Sequence, residues 1–462
     1  MPRRPLAKLS AVASTMALVL APALAHADPG PHTTEARLRE LCTDPASRGE
    51  PRAAGCEQLA YDAAISSAAD RELGKAMRTQ MMLVSWAPRG SPLAALASRA
   101  LGDEWLELGE VERAAEWYER YATLDARAAG VQALGSAARL RLVLGQSLEA
   151  TKDVASALER AQGTAVAAAA EVALVLVQHR VDREEWAAAL ESSPPSSLVD
   201  VASPDVQVKA HVLAGRAYAA LGKDAEAARE YGRVRDLWRD PAASVARVKA
   251  AFPDENERQQ NRRLAGAITG VGEAYFDAAE RGRKASAASL RAPVYAGAPS
   301  DAKAAVAFVE GPLRAWFERR QAALRDTEPA YVAILDIQPV PPPRWITAAS
   351  ATVALAWGSL VDEPRRIPVP AAWARPPNRA VREAYFRAID AMVEPVRTSH
   401  ARPAVRKCVD LSVRYQYQDT RTPECEAWLG VHYRDEVHPL DELVPALRYE
   451  VPRPAAPPQA HP

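Results

Sequence analysis

Residues 101–121, LGDEWLELGEVERAAEWYERY, are the stretch from which the fold follows. Apolar and small residues recur at helical spacing on both sides of Gly109, so the stretch predicts two short amphipathic helices joined by a tight turn. Gly102 and Ala114 would let the helices approach closely, and Trp105 and Tyr118 would fill the space on either side. Because one such hairpin cannot bury its apolar face alone, further hairpins are expected next to it.

The spacing of these residues matches the consensus of the tetratricopeptide repeat (TPR), as Ser98-x2-Leu101-Gly102-x2-Trp105…Ala114-x3-Tyr118. Two further copies follow, Leu134-x2-Ala137-Ala138-x2-Arg141…Gly145…Ala150-x3-Val154 and His211-x2-Ala214-Gly215-x2-Tyr218…Gly222…Ala227-x3-Tyr231. The first of these is degenerate, since Arg141 stands where an aromatic residue is expected. Between them, residues 165–179 and 183–190 keep a helical period without the motif residues. After a polar link at 256–263, Ile268-x2-Val271-Gly272-x2-Tyr275 resembles a first helix without a second.

The sequence therefore predicts an all-α protein, a TPR-like helical-hairpin solenoid with an irregular, disulfide-linked C-terminal helical region. The predicted segments are a signal peptide (1–27), N-terminal capping helices (28–90), TPR-like repeats (91–284), an irregular helical region ending in a Pro-rich connector (285–345), a C-terminal helical region (346–448) and a Pro-rich, disordered tail (449–462).

The N-terminal residues have the features of a secretory signal. A basic region at Arg3, Arg4 and Lys8 precedes an apolar stretch that is too short to span a bilayer, and an A-x-A site predicts cleavage between Ala27 and Asp28. Since no later segment is long and apolar, we expect no membrane insertion after cleavage. These features predict an exported protein in the periplasm of a Gram-negative bacterium, with association with the outer membrane as the alternative.

The four cysteines form two close pairs in the exported part of the chain, Cys42 with Cys56 and Cys408 with Cys425. An even count in an oxidising compartment predicts two disulfides. The alternative is a zinc site at the C-terminal pair, because His432 and His438 follow it; the lack of a C-x2-C knuckle favours the disulfide. We expect no metal and no cofactor.

Residues 334–345, ILDIQPVPPPRW, interrupt the helical pattern with three consecutive prolines. One interpretation is a stiff connector held to the body of the protein by Ile334, Ile337 and Trp345. The other is a proline-rich ligand for a partner protein.

Composition and sequence motifs limit the classes of function that this chain could have. With 58 basic and 58 acidic residues the chain is neutral, which gives no support to nucleic acid or anionic membrane as a partner. The sequence contains none of the motifs G-x-S-x-G, G-x4-G-K-[ST], G-x-G-x-x-G or H-E-x-x-H, so a non-catalytic role is expected. The function that these observations leave is the binding of another molecule. In a stack of hairpins, helical faces turned away from the packing residues would line a concave groove. The residues predicted to line it are Arg99, Asp103, Arg139, Lys209, Arg216 and Glu273.

For any single one of these residues a solvated surface is the alternative. As a set they suggest a groove for a partner segment that carries carboxylates, held by paired hydrogen bonds from Arg99, Arg139 and Arg216.

The segments ILDIQPVPPPRW, EAYFRAIDAMVEP and KCVDLSVRYQYQDTRTPECEAWL, behind TPR-type hairpins and an export signal, resemble the envelope TPR proteins of the adventurous gliding-motility type. The likeness extends from residue 268 to the C-terminus. It implies an exported, non-catalytic scaffold or adaptor in an envelope-spanning assembly, with other envelope proteins or peptide segments as partners.

Two other functions remain open from the sequence. The chain would suit a glycan- or nutrient-binding protein if an open cleft were lined by aromatic residues, namely Trp316, Trp345, Trp357 and Trp373. An envelope hydrolase would require convergent carboxylates in a deep pocket of the C-terminal region.

Overall fold

A computed structural model describes residues 31–43, 54–88, 90–163, 165–253, 255–288 and 290–436. Every regular element in these ranges is a helix. The prediction of an all-α protein is therefore confirmed for the described part of the chain. The predicted signal peptide with its cleavage site at Ala27 and Asp28, the tail at 449–462, and His438 lie outside the described residues.

The chain divides into two compact units, 1–126 and 127–462, and this division falls inside the predicted repeat region. The first unit has five α-helices among its described residues: α1 (Pro31–Leu38), α2 (Cys56–Ala69), α3 (Leu73–Trp86), α4 (Pro92–Glu107) and α5 (Val111–Leu124). A π-helical turn, Arg39–Thr43, continues α1. Consecutive helices pack against one another, and a disulfide between Cys42 and Cys56 joins the end of this turn to the start of α2.

The stretch that predicts the fold forms the hairpin of α4 and α5. Gly102 and Ala114 are buried at the contact between the two helices. A Cβ built on Gly102 would lie 2.8 Å from the ring of Tyr118, so the missing side chain leaves room for that ring. The predicted roles of Gly102, Ala114 and Tyr118 are confirmed.

The second unit begins with eight helices: α6 (Ala128–Val143), α7 (Ser147–Glu159), α8 (Ala165–Asp182), α9 (Trp186–Glu191), α10 (Ser196–Val199), α11 (Pro204–Ala220), α12 (Asp224–Leu237) and α13 (Pro241–Ala251). The hairpin of α11 and α12 repeats the arrangement just described. Ala227 is buried, and a Cβ on Gly215 would lie 2.9 Å from the ring of Tyr231.

Five turns between helices share one geometry. A residue with positive φ lies in each of them, and the N–H that follows it donates to the carbonyl five residues earlier, at 2.8–2.9 Å. This pattern belongs to the Schellman motif that ends a helix. The five turns recur every 36 to 39 residues, at Arg71, Gly109, Gly145, Glu184 and Gly222. The region around 165–190, which lacks the motif residues, thus has the same turn, with Glu184 in place of glycine.

The predicted polar link at 256–263 is wrong, because these residues begin the long helix α14 (Glu257–Ala288). The main-chain N–H of Asn256 donates to Gln259 Oε1, and the N–H of Gln259 donates to Asn256 Oδ1, both at 3.0 Å. Such a reciprocal pair satisfies two of the N–H groups that a helix start leaves free, so polar residues here begin a helix.

The C-terminal part of the second unit contains α15 (Ala302–Phe308), α16 (Arg314–Val332), α17 (Pro343–Arg366), α18 (Arg379–Val396), α19 (Arg402–Tyr415) and α20 (Thr422–His432). Its core contains several large aromatic residues, of which Trp316, Trp357, Trp373 and Tyr385 are each at most 1% exposed. A second disulfide, Cys408–Cys425, joins α19 to α20, and both of its residues lie in this core.

The proline-rich segment is packed against the body of the second unit. Ile334 and Ile337 are buried, and the indole N–H of Trp238 donates to the Gln338 carbonyl at 2.9 Å. A Cβ on Gly272 of α14 would lie 2.7 Å from the Trp345 ring. The predicted contacts of this segment are therefore confirmed.

The C-terminal cysteines are bonded to each other, so the structure contains the disulfide rather than the zinc alternative. Within the described ranges no group of three or more His, Cys, Asp or Glu residues is placed to hold a metal ion. Across those same ranges, we found no helix with the length and apolar character needed to cross a membrane.

Candidate functional site

The six residues predicted to line a groove are divided between the two units. Arg99 and Asp103 lie on α4 in the first unit, and Arg139, Lys209, Arg216 and Glu273 lie on α6, α11 and α14 in the second. We therefore describe the two sets separately.

In the first unit, Arg99 and Asp103 are both exposed on α4. Asp103 accepts a hydrogen bond from the Tyr118 hydroxyl, with 2.6 Å between Oδ1 and Oη. Burial, and then this hydrogen bond to a carboxylate, raise the pKa of Tyr118. Asp103 thus supports the hairpin by holding the tyrosine that fills the space next to Gly102.

In the second unit, Arg216 and Glu273 bind each other. Arg216 Nε donates to Glu273 Oε1 at 2.6 Å and Nη2 donates to Oε2 at 2.5 Å, while the Tyr231 hydroxyl donates to Oε1 at 3.1 Å. These hydrogen bonds raise the pKa of Arg216. Two of the five N–H groups of Arg216 are therefore engaged inside the protein, and its paired hydrogen bonds go to Glu273.

A cavity of about 350 Å³ opens next to this pair, between α8, α11 and α14; we call it the α8–α11–α14 groove. Its floor is apolar and includes Leu174 of α8, Val208 and Val212 of α11 and Ala267 of α14. Its polar lining residues are Glu171, Gln178, Asp205, Lys209, Arg216, Arg262, Arg263 and Thr269. Of the predicted groove residues, Lys209 and Arg216 thus line one cavity.

The acidic side chains of the groove, Glu171 and Asp205, both form ion pairs with Arg263. Its guanidinium lies 3.2 Å from both Glu171 and Asp205 and 2.8 Å from Glu255. It also stacks on Phe252, with 3.6 Å between Cζ and the ring centroid. Arg263 on α14 is therefore connected to α8 through Glu171 and to α11 through Asp205.

Two further cations that line the groove, Lys209 and Arg262, have no such direct partner, and neither has exposed Arg139 of α6. Arg139, Lys209 and Arg262 form no ion pair or side-chain hydrogen bond with the residues that the structure describes. Lys209 is exposed, but the protein atoms around its ammonium lower its pKa, and the positive charge of Arg139 lowers it further, while the carboxylates of Glu171 and Asp182 offset part of this shift. The groove thus combines an apolar floor with cationic side chains that have no direct ion pair.

The sequence does not identify Arg262 and Arg263 as site residues, because both fall in the stretch that its composition predicts to be a polar link. The reciprocal Asn256–Gln259 capping pattern was the signal that would have placed them on a helix. The contacts of Arg263 could not be read from spacing, since Glu171 and Asp205 are 92 and 58 residues away in sequence.

No protein-family model matches this chain, and no curated protein matches its sequence.

Proposed function

We propose that this chain is a non-catalytic interaction scaffold of the bacterial cell envelope and that its α8–α11–α14 groove binds an acidic segment of a partner protein. The observation that carries the proposal is an apolar floor lined by two cations without a direct ion pair, Lys209 and Arg262, with the positive charge of exposed Arg139 close to Lys209.

The chemistry of the groove defines the segment that would fit it. Carboxylates would offset the positive charge that now acts against the ammonium of Lys209, and charge-assisted hydrogen bonds are among the stronger contacts in proteins. Apolar side chains between these carboxylates would cover Leu174, Val208 and Val212. The preferred ligand is therefore a peptide that alternates acidic and apolar residues.

The arrangement of the helices supports a TPR-like array as the framework of this site. Five turns of one geometry recur every 36 to 39 residues, close to the period of about 34 residues in TPR proteins. Two of the hairpins, at Gly102 and Gly215, pack a tyrosine ring against the glycine. Stacked hairpins of this kind commonly present a concave binding surface.

The two disulfides, together with the signal sequence expected at residues 1–27, support export to the periplasm. Within the envelope, the resemblance of the C-terminal third suggests a gliding-motility complex or another envelope-spanning assembly. Three of the four tryptophans considered for glycan binding, Trp316, Trp357 and Trp373, are buried in the core, which favours the scaffold over a sugar cleft.

Crosslinking in cells tests the proposal. A photoreactive amino acid at Thr269, which lines the groove, should capture one protein through an acidic segment, and the same group at exposed Thr151 on α7 should not. The captured segment is then synthesised and its affinity for the purified chain is measured at two salt concentrations.

The double variant Arg139→Ala, Lys209→Ala should lower the affinity for this peptide by roughly 30-fold or more, because each charged contact contributes about 1 kcal/mol or more. Lys249→Ala, which removes an exposed lysine of α13, is the matched control and should leave affinity unchanged. Equal affinity in the double variant and the native chain would contradict the proposal.

A further inference from the structure

A second cavity, of about 440 Å³, lies between α16, α17 and α19 in the C-terminal part of the second unit. We call it the α17 cavity, because α17 forms its floor. It shares no lining residue with the α8–α11–α14 groove, so an inference from it is independent of the function proposed above.

The floor is a row of apolar residues on one face of α17. Ile346, Ala349, Val353 and Trp357 follow one another at helical spacing and extend over ~16 Å of the helix axis. Apolar residues of α16, of the 3-10 turn that follows it (Ala333–Asp336) and of α19 form the walls, among them Val332, Leu335, Ala404 and Leu411. The elongated shape and apolar lining fit a small apolar molecule, and the volume is within the range of about 300 to 1,000 Å³ for ligand pockets.

Ser399 and His400, which line the cavity beside Trp357, belong to a chain of hydrogen bonds. Arg325 Nη2 donates to His400 Nε2 at 3.0 Å, and His400 Nδ1 lies 2.6 Å from Ser399 Oγ, which in turn donates to the Pro395 carbonyl at 2.6 Å. Burial, and then the charge of Arg325, lower the pKa of His400, in keeping with the neutral ring that this chain requires. These groups are therefore already satisfied by one another.

The remaining polar lining residues offer little to a peptide backbone. The Ser350 hydroxyl donates to the Thr347 carbonyl at 2.9 Å, and Glu328 accepts from the Trp357 indole at 3.4 Å. An extended peptide would leave several of its amide groups without partners on this apolar floor, which costs free energy for each. A ligand with a single polar group avoids that loss.

Lys407 is the lining residue that would meet such a group. It is exposed at the rim, one turn from both Ala404 and Leu411, and forms no ion pair or side-chain hydrogen bond with the described residues. An anion at this position would face an ammonium without a counter-ion.

We propose that the α17 cavity binds an elongated apolar molecule with one anionic head group, such as a fatty acid, with the chain along α17 and the head group at Lys407. The apolar floor supplies affinity, and Lys407 selects for the negative charge.

Equilibrium dialysis of the full chain with dodecanoate and with dodecanol tests both parts of this proposal. Dodecanoate should bind at one site per chain. Lys407→Gln should lower the affinity for dodecanoate by roughly tenfold, because it removes one charged contact, and should leave the affinity for dodecanol unchanged. Lys303→Gln, an exposed lysine on α15, is the matched control and should change neither.

Two variants that fill the cavity test its location. Ala404→Phe on the wall and Val353→Phe on the floor should each abolish binding of both molecules, with the helical circular dichroism signal showing that each variant is folded. Binding that persists in both folded variants would overturn the proposal. Equal weakening of dodecanol binding by Lys407→Gln would also overturn it. So would a native chain that binds neither molecule; if Val353→Phe then changes its oligomeric state, the cavity is a contact between protein chains.

Discussion

The Tyr231 ring occupies the place of a side chain at Gly215: a Cβ on this glycine would lie 2.9 Å from ring carbon Cζ. The ring is buried and its hydroxyl donates to Glu273 of α14, so it is fixed at both ends. The same relationship holds between Gly102 and Tyr118 in the first unit. In each hairpin the glycine is therefore needed for close packing, despite its low helix propensity.

Gly215→Ala should destabilise the second unit by about 1 kcal/mol. Overpacking costs ~1–3 kcal/mol, and the better helix propensity of alanine returns up to ~1 kcal/mol of this. Gly282→Ala in α14, where an added Cβ meets no atom within 4 Å, should instead stabilise the chain by up to ~1 kcal/mol. Urea unfolding followed by circular dichroism measures both changes, and a stabilised Gly215→Ala variant would show that the ring moves without penalty.

Glu184→Gly should stabilise the second unit by about 0.5–1 kcal/mol. Glu184 has φ of 61° at a turn whose equivalents, Gly145 and Gly222, are glycine. Glycine removes the penalty of ~1–2 kcal/mol for a left-handed residue, and the greater freedom of the unfolded chain offsets part of this gain. The converse change, Gly222→Ala, should destabilise by about 1 kcal/mol. Thermal unfolding of the two variants should show shifts of opposite sign; shifts in the same direction would contradict the equivalence of these turns.

These positions also show what the sequence could predict and what it could not. Glycine at a fixed interval was sufficient to place the hairpins at Gly109, Gly145 and Gly222. The turn at Glu184 was hidden because main-chain hydrogen bonds hold a residue without glycine's freedom in the same conformation. The fork of Arg216 was predicted to face a partner, but its pairing with Glu273, 57 residues away, depends on how α11 packs against α14. The spacing of residues within one helix does not show which residues of another helix it will contact.

The Arg216–Glu273 pair should contribute to stability rather than to partner binding. Glu273 is buried, and Arg216 is one-third exposed, so we expect Arg216→Ala to destabilise by about 2 kcal/mol, less than the 3–5 kcal/mol typical of fully buried pairs. A double-mutant cycle with Glu273→Ala should give a coupling free energy of ~1–2 kcal/mol in urea unfolding. Additive effects would show that the two side chains do not interact in solution.

Glu104 should make the stability of the first unit depend on pH. Its Oε1 accepts from Gln80 at 2.9 Å, while Oε2 is buried without a partner. Burial raises the pKa of Glu104 above its ordinary value of 4.5, so the folded state binds this proton more tightly than the unfolded state does. The contribution of Glu104 to the free energy of unfolding is therefore most favourable below pH 4.5, and it is lost as pH rises through the pKa of the folded state.

Glu104→Gln should accordingly stabilise the first unit by about 1 kcal/mol at pH 7 and have little effect below pH 4, because the amide removes the buried negative charge. Exposed Glu107 on the same helix is the control, and Glu107→Gln should have no such pH-dependent effect. Unfolding free energies measured from pH 3.5 to 7.5 decide this prediction. A gain for Glu104→Gln that is constant across this range would assign the effect to packing instead of ionisation.

The Cys408–Cys425 disulfide should be needed for the stability of the C-terminal core. It joins α19 to α20 across a sequence separation of 17, and both cysteines are fully buried. Replacing both by alanine should lower the unfolding free energy by about 3 kcal/mol, since the unfolded chain gains the entropy of the opened loop and the core loses two buried sulfurs. A mild reductant should leave the native bridge intact, because a thiolate must reach a buried sulfur, and should break it once urea unfolds the core. Thiol labelling across a urea titration measures this directly. Reduction of Cys408–Cys425 in the folded chain would show that α20 separates from α19 without global unfolding.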